Sequence, residues 1–451
     1  MIIDTDIKGS DLKESLARFW DLATDKATVL DEKYDTSKGA PVFTVKGEYT
    51  TRGWTEWTQG FQYGIPLLIA EATGNKDMLH LGKDNTVKNM AHHLSHFGVH
   101  DHGFNNLSTY GNLLRMANQN ILDASKEEKD FYRLAISMSG SVQSKRWTDV
   151  KDGGFIYSFN GPHSLFIDTI RTTRILLAAH QLGHRLLDEN DNQIDLLQRA
   201  VTHGMTTAKY AIFFGEGRDT YDTWGRVAHE SIFNTNDGNY RCPNSQQGFS
   251  GFTTWTRGLA WAMVGFPEFL EYLDTLDFEG IVEVKASFLK AAKATCDFYI
   301  ANTASDGIPY WDTGAPNIHK LGKYQDRKAE IVNDYEPIDS SAAAIGAQGL
   351  LRLSNLLKET EPIEAKKYEQ AGFTTLRTLL TDDYLAVEPA HQGILKHSVY
   401  HWPNGWDHVP EGQKVPANES SMWGDYHMVE LCFLAHKMNQ DKYYTFFDNL
   451  I

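Results

Sequence analysis

The chain has 451 residues, a formal net charge of −16 and 41 % hydrophobic residues, enough apolar side chains for a large buried core. That charge excludes nucleic acid as an expected partner, because phosphate binding needs a basic face, and no apolar run is long enough for a membrane span. Cys242, Cys296 and Cys432 are far apart and give neither a disulfide framework nor zinc-ligand spacing, so free, mostly buried thiols are expected.

Met1-Ile2-Ile3-Asp4 is followed at once by polar residues. No signal peptide is therefore expected, and the compartment, cytoplasmic or periplasmic, stays open. Helical periodicity dominates from there on. Leu12, Leu16, Phe19, Trp20 and Ala23 fall on one face of a first helix. Ser125-Lys126-Glu127-Glu128 reads as a capping box opening a helix through Met138, which Gly140 would end. In chain order the pattern predicts helices over 11–24, 58–73, 78–97, 107–122, 126–139, 166–182, 194–213, 255–272, 282–301, 340–358, 363–381 and 422–438. Long loops rich in Gly, Asn, Asp, Trp and His, at 38–57, 98–106, 140–165, 214–254, 302–338 and 382–421, tend to follow every second helix. Paired helices with loops gathered mostly at one end predict a toroid of helical hairpins with a cleft built from the loops. Loops of this length are usually functional or disordered, and their aromatic content argues against disorder. No Pro/Ser-rich linker divides the chain, so one domain over 1–451 is expected.

Two aspartates stand in short motifs, Val99-His100-Asp101-His102-Gly103-Phe104 and Phe166-Ile167-Asp168-Thr169-Ile170, followed by Trp255-Thr256-Arg257-Gly258-Leu259-Ala260-Trp261. One carboxyl can hold a proton while a neighbour stays charged when their environments differ. Aromatic rings suit the apolar faces of sugars. The apolar neighbours of Asp168 predict a raised pKa, as a proton donor near neutral pH requires; the bland reading is a helix N-cap. Asp101 is either a second carboxylate or an Asx-type turn before Gly103. Arg257 and Trp261 share a helical face, and the arginine fork fits a carboxylate; otherwise they form an ion pair and a core tryptophan. His92 and His96 have the spacing of a metal pair but no identifiable third ligand, so no metal is expected. A helix C-terminus favouring imidazolium accounts for that histidine-rich segment. No phosphate-binding Gly-rich loop and no Gly-x-Ser-x-Gly elbow occur.

In order along the chain come Trp57-Thr58-Gln59-Gly60-Phe61, the Asp101 segment, Ser144-Lys145-Arg146-Trp147, the Asp168 segment, Gln247-Gly248-Phe249, Thr254 through Trp261, Ile308-Pro309-Tyr310-Trp311-Asp312, Asp339 through Ala344, and Glu419 through Tyr426. This series resembles glycoside hydrolase family 88, the unsaturated glucuronyl hydrolases, from about Trp57 to Leu431. The resemblance implies an all-α, (α/α)6-barrel fold and a cofactor-independent enzyme. Its substrate would be an unsaturated acidic oligosaccharide left by a polysaccharide lyase, from which it removes the 4,5-unsaturated uronic acid at the non-reducing end. In that chemistry an acid protonates C4 of the enol ether, water adds at C5, and the hemiketal opens to release the aglycone.

The same resemblance assigns Asp168 as general acid/base and Asp101 as second carboxylate. It places Arg257 and Trp261 near the uronate, and Trp57, Trp147 and Gln247 on the substrate side. The chain departs from the family in several places. Thr169-Ile170-Arg171-Thr172-Thr173-Arg174 replaces a Met-Met-Asn run, Gln246 replaces a histidine, His102 stands at a usually apolar position, and Phe233 falls where a histidine is expected, with His229 nearby but displaced. Arg171 and His102 thereby become candidate substrate contacts. Arg171 is read either as partner of a second anionic group, such as a sulfate, or as a structural salt bridge to Asp101 or another acid. Competing readings are an unsaturated rhamnogalacturonyl hydrolase-like enzyme, a sugar epimerase on the same toroid, and a non-catalytic carbohydrate-binding toroid, which fold alone does not separate. The oligomeric state has no signature in the chain.

Overall fold

The computed structural model describes residues 1–54 and 56–451. Its helices, in chain order, are α1 Lys13–Lys33, α2 Gln59–Thr73, α3 Lys76–Asn89, α4 His102–Asn106, α5 Asn112–Asn118, α6 Lys126–Lys145, α7 Thr169–Thr172, α8 Arg174–Gln181, α9 Leu196–Tyr210, α10 Thr256–Leu273, α11 Ile281–Asn302, α12 Ser340–Leu357, α13 Pro362–Leu379 and α14 Met422–Met438. A π-helical stretch, Leu107–Gly111, joins α4 to α5, and only Thr173 separates α7 from α8. Among the described residues the helices therefore make twelve passages, as the periodicity predicts.

Six passages form a closed inner ring. Helix α2 packs on the α4–α5 passage, which packs on α7–α8, then α10, α12 and α14, and α14 returns to α2. The others lie outside: α3 on α2, α6 on α8, α9 on α8, α11 on α10 and α13 on α12. Composition explains the sorting. Every residue of α10 is buried, as in a helix surrounded by protein. Helix α1 buries one stripe containing Leu16, Phe19, Trp20, Ala23, Ala27 and Leu30. The fold is an (α/α)6 barrel. Among the described residues, no helix is long and apolar enough to cross a membrane.

Short antiparallel strands decorate the loops: β1 Phe43–Val45 with β2 Glu48–Thr50, β3 Trp147–Val150 with β4 Gly153–Ile156, β6 Leu186–Leu187 with β7 Gln193–Ile194, and a sheet of β5 Ser164–Phe166, β8 Glu230–Phe233 and β9 Tyr240–Asn244. Buried acids fasten the loops by accepting backbone N–H groups. Asp312 takes Phe249 N at 2.8 Å, Asp407 takes His401 N at 2.9 Å and Tyr400 N, and Glu419 takes Lys46 N at 2.7 Å and Gly47 N at 3.1 Å.

The capping box of α6 forms as expected: Ser125 N donates to Glu128 at 2.8 Å and Glu128 N to Ser125 Oγ at 3.2 Å. Gly140, however, does not end α6, which continues to Lys145. It lies where a Cβ would stand 2.6 Å from Ala179 Cβ, so the glycine serves close helix packing rather than termination. The predicted 78–97 helix likewise stops at Asn89, and His92 and His93 lie in a separate 3-10 turn, Ala91–Leu94.

The far end of the inner ring is closed by buried charge. Arg171 pairs with Glu268 and Glu430, each at 2.8 Å. Arg174 meets Glu268 at 3.1 Å, Arg352 meets Glu271 at 2.9 Å and Glu268 at 3.4 Å, and Arg115 meets Glu71 at 3.0 Å. Arg171 is thus a structural cation, as its salt-bridge reading anticipated, and not a substrate contact, which corrects the other reading. Removing one partner of a buried pair leaves the others uncompensated, at a cost of about 3–5 kcal/mol. Arg171→Met should therefore lower the melting temperature strongly and depress activity on every substrate alike. Thermal melts and a substrate panel check this, and selective loss on multiply charged substrates alone would refute it.

Candidate active site

The inner helices α2, α10, α12 and α14 all begin at the end opposite the ionic cluster, and their N-termini carry partial positive charge. A cleft of about 580 Å³ opens there. Its walls include Trp57, Phe104, Trp255 and Trp261, and its polar groups include His100, Asp101, Asp168, Gln246, Gln247 and Arg257. Trp57 stacks on Trp423 with ring centroids 5.4 Å apart, and Phe104 meets Trp261 at 4.9 Å, so the base is an aromatic layer.

Local packing brings the two aspartates together. Asp101 immediately precedes α4 and Asp168 immediately precedes α7. A Cβ at Gly103 would lie 2.2 Å from the Thr172 carbonyl oxygen, so only glycine lets the start of α4 approach α7 this closely. Thr172 Oγ1 donates to the His100 carbonyl at 3.0 Å and locks the contact. On the other side, Ile167 N donates to the His229 carbonyl at 3.0 Å and continues the β5–β8 pairing up to Asp168. Neither carboxylate caps its own helix, which removes the cap reading of Asp168.

His100 stands between the pair, with Nε2 3.5 Å from Asp101 Oδ1 and 3.5 Å from Asp168 Oδ1. Burial pushes Asp101 up to about 6. Burial also works against charge on Asp168, but His100 and His229 hold it below the usual carboxylate range. Burial opposes charge on His100 too, yet the two carboxylates keep its pKa above the ordinary value. The expectation of a raised pKa on Asp168 is therefore corrected. The apolar surroundings of Asp168 are outweighed by adjacent imidazoles, whereas burial favours the protonated form of Asp101. The two aspartates stand close enough to influence each other's ionisation, with His100 favouring the charged form of both.

Arg257 lines the cleft but is not a free fork. One terminal nitrogen donates to Asp339 at 3.1 Å and to the Val399 carbonyl, and the other to Gln247 Oε1 at 2.7 Å and the Tyr400 carbonyl at 2.9 Å. Its guanidinium lies between the rings of Trp255, at 4.6 Å, and Trp423, at 4.9 Å. Because arginine only donates, Gln247 must present its carbonyl to Arg257 and keep its amide N–H groups for other partners.

Trp57, Gln247, Arg257 and Trp261 are at the cleft as expected, whereas Trp147 and His102 are not among its lining residues. Trp147 lies in the β3–β4 hairpin, donating to Asp149 at 2.7 Å with Arg199 over its ring at 4.1 Å; it anchors a loop. His102 follows Asp101 into the helix and turns toward His96, ring centroids 6.3 Å apart, where burial pulls it down to about 3. Burial also pulls His93 down to about 3, so imidazolium stabilised by a helix end does not describe it. Among the described residues, the side chains spaced to share one cation are His100, Asp101 and Asp168, whose ligand atoms lie within 4.8 Å of one another; His92 and His96 are in no such group.

His229, read from sequence as displaced, lies beside Asp168. Its ring is held between Phe166, at 4.4 Å, and Trp255, at 4.6 Å, and Nδ1 accepts from Gln246 N at 3.0 Å. The cleft mouth adds Trp54, Phe159, Tyr400, His401 and Trp406, from loops flagged by length but not residue by residue.

An all-helical barrel whose cleft joins two carboxylates to an aromatic wall is a frame suited to carbohydrate. No family model matches the chain. The resemblance read from the motifs is nevertheless borne out by curated relatives. The unsaturated glucuronyl hydrolase of Bacillus sp. (strain GL1) is 26 % identical over 391 residues, covering 85 % of this chain and 87 % of that protein. The unsaturated chondroitin disaccharide hydrolase of Streptococcus pyogenes serotype M1 is 23 % identical over 430 residues, covering 94 % and 92 %. The crystal structure of the Bacillus sp. GL1 enzyme superposes with a TM-score of 0.70 at 23 % identity, covering 92 % of this chain and 96 % of that one.

Gly103→Ala should separate α4 from α7 and widen the gap between Asp101 and Asp168. Misplacement of reacting groups by about 1 Å costs on the order of 10²-fold in rate. Activity should fall by that order while helicity by circular dichroism is retained; wild-type activity would show that the close approach does not set the carboxylate geometry.

Proposed function

We propose that the chain works as one catalytic domain over 1–451, a glycoside hydrolase that removes a 4,5-unsaturated uronic acid from the non-reducing end of lyase-generated oligosaccharides. The observation that carries this reading is the buried His100–Asp101–Asp168 trio at the base of an aromatic cleft. Relatives named unsaturated glucuronyl hydrolase support it.

Asp168 is the proposed acid. It delivers a proton to C4 of the enol ether as the C4=C5 bond opens, and water adds its oxygen at C5 while losing a proton to the carboxylate so formed. The resulting hemiketal opens the ring and releases the aglycone alcohol. The uronate itself sets the proton in place. A carboxylate arriving beside the trio disfavours further negative charge there and raises the pKa of both aspartates. His100, the inner-helix N-termini and the amide of Gln247 offset the uronate's charge. Trp57 and Trp261 supply apolar faces for the sugar ring.

Asp168→Asn keeps the shape of the side chain but has no acidic proton. It should lower kcat by about 10²–10⁴-fold, with binding retained, in an assay following loss of the conjugated double bond. More than a tenth of wild-type kcat would remove Asp168 from the role of acid.

The pH profile follows from the trio. Protonation is needed for the first step and Asp168 is held low in the free protein, so kcat/KM should fall as pH rises through the acid range, with the value of about 6 given by burial of Asp101 as the upper end of that fall. The alkaline limb of kcat should lie at higher pH, because bound uronate favours the protonated pair. Coincident limbs would contradict substrate-driven protonation.

A further inference from the structure

The closed end of the barrel carries a second cavity, of about 650 Å³, just outside the ionic floor. Residues of α1, α12, α13, α14 and the 3-10 turn Gly9–Leu12 supply its walls. Tyr443 in the wall donates to Glu271 of the floor at 2.6 Å, and Ser354 follows Arg352 closely along α12.

The charge of this cavity runs against that of the chain. In a molecule of net charge −16, Lys13, Lys358, Lys366 and Lys442 line it, against two acids, Glu369 and Asp441. Among the described residues, none of the four ammonium groups has an ion pair or a hydrogen bond. Lysines elsewhere on the surface do find acids: Lys290 meets Glu216 at 2.7 Å and Lys414 meets Asp334 at 2.8 Å. Lys358 and Lys366 act on Glu369 without reaching it, so that acid offsets part of the charge and takes none of the donors. Helix ends account for only part of the set. Lys358 and Lys442 follow α12 and α14, where a cation is favoured. Lys13 is the first residue of α1, where a cation is disfavoured, and Lys366 stands in the second turn of α13. Helix α13 also reaches the wall through Pro362, and no side chain caps the N–H groups of its first turn.

A buried hydroxyl points the same way. Ser354 is 7 % exposed and lines the cavity, yet among the described residues its side chain makes no hydrogen bond. Within a helix the ordinary partner is the carbonyl one turn back. Thr86 donates to Gly82 at 2.7 Å in this way, Thr207 to His203 at 2.8 Å and Thr375 to Ala371 at 3.1 Å. Ser354 does not, and a buried polar group left unpaired costs free energy. Ser10 and Asn355, also in the wall, keep their side chains equally unengaged. Phe373, Ala365 and Met438 give the cavity an apolar side. Ammonium groups only donate, and their flexible four-carbon stems let them converge on one acceptor. A group with several outward oxygens and negative charge answers donors arriving from several helices at once.

We propose that this cavity is a second binding site, for a tetrahedral oxyanion: a phosphate or sulfate group, free or carried as an ester on a sugar-sized body. The four lysines supply the charge, Ser354, Ser10 and Asn355 the neutral donors, and Phe373 a surface for the body of an ester. The ionic floor separates this site from the cleft, and its existence does not depend on the hydrolysis proposed above.

Calorimetric titration of the full chain at fixed chloride concentration tests it, with inorganic phosphate, glucose-6-phosphate, glucose-6-sulfate and glucose as probes. Phosphate and the two esters should bind one per chain, and glucose should not bind there. Lys358 and Lys366 are exposed, so the double variant Lys358→Gln/Lys366→Gln should keep its melting temperature without ligand. Its Kd for the charged probes should rise about tenfold or more. Ser354→Ala should weaken the same probes and leave helicity by circular dichroism unchanged. Esters that bind more tightly than the free ion place a sugar body against Phe373, whereas equal affinities assign the site to the inorganic ion. Binding that vanishes once chloride matches the probe's ionic strength, or an affinity unchanged in the lysine variant, overturns the site and leaves the four lysines as a solvated surface.

Discussion

The barrel depends on its buried ionic floor. Arg115, Arg171, Arg174 and Arg352 face Glu71, Glu268, Glu271 and Glu430, and each inner passage supplies at least one of these charges. Dehydrating ions is costly, and their mutual attraction offsets the cost only when the pairing geometry is good. Apolar helix faces tolerate sliding and repacking with small losses. A guanidinium bridging two carboxylates on different helices does not, because a shift of one turn would strand a charge. The floor thus specifies register around the ring where apolar packing alone would leave latitude. Burial pushes Glu271 up to about 7, a mark of how far the cluster is removed from water.

Register at the floor fixes the helix starts at the other end, and the chemistry is gathered there. Asp101, Asp168, Trp255 and Asp339 each stand at the position just before an inner helix. Loops between them are too long to hold themselves in place, and the buried carboxylates that accept their N–H groups substitute for a sheet. This division explains how a chain of net charge −16 can present a cleft in which the proposed uronate is accommodated. Many of its acids are inside, neutralised by arginine or by backbone donors. The inner-helix N-termini, His100 and Arg257 then set the local potential.

Much of this was legible in the sequence, and the errors share a cause. Twelve helices could be read because apolar period survives whatever the tertiary context. Their ends could not, since Gly140 looks like a terminator until Ala179 is seen against it. The Asp101 and Asp168 motifs, with Trp57, Gln247, Arg257 and Trp261, were visible as ordered segments. Arg171 was misplaced because three-residue spacing predicts neighbours only within a helix, and Asp168 lies before the first turn. Its carboxylate belongs to the end of β5, while Arg171 belongs to the helix and turns to the floor. His102 diverges from Asp101 for the same reason. His229 reaches Asp168 through strand pairing, and Trp54 and Trp406 reach the cleft through loop closure, neither of which leaves a periodic trace.

The ionic floor also makes the barrel a cup rather than a tube. A polysaccharide cannot thread through it, and an internal residue of a chain cannot reach the trio without driving its neighbours into the wall. For the proposed hydrolysis a chain terminus would enter, with the remainder projecting past the mouth into solvent. Whatever is cleaved has to leave by the opening through which it came before the shortened chain can be engaged again. Each encounter would then remove one unit, and an enzyme of this shape would work through a mixture of short fragments by many brief visits rather than travel along one strand.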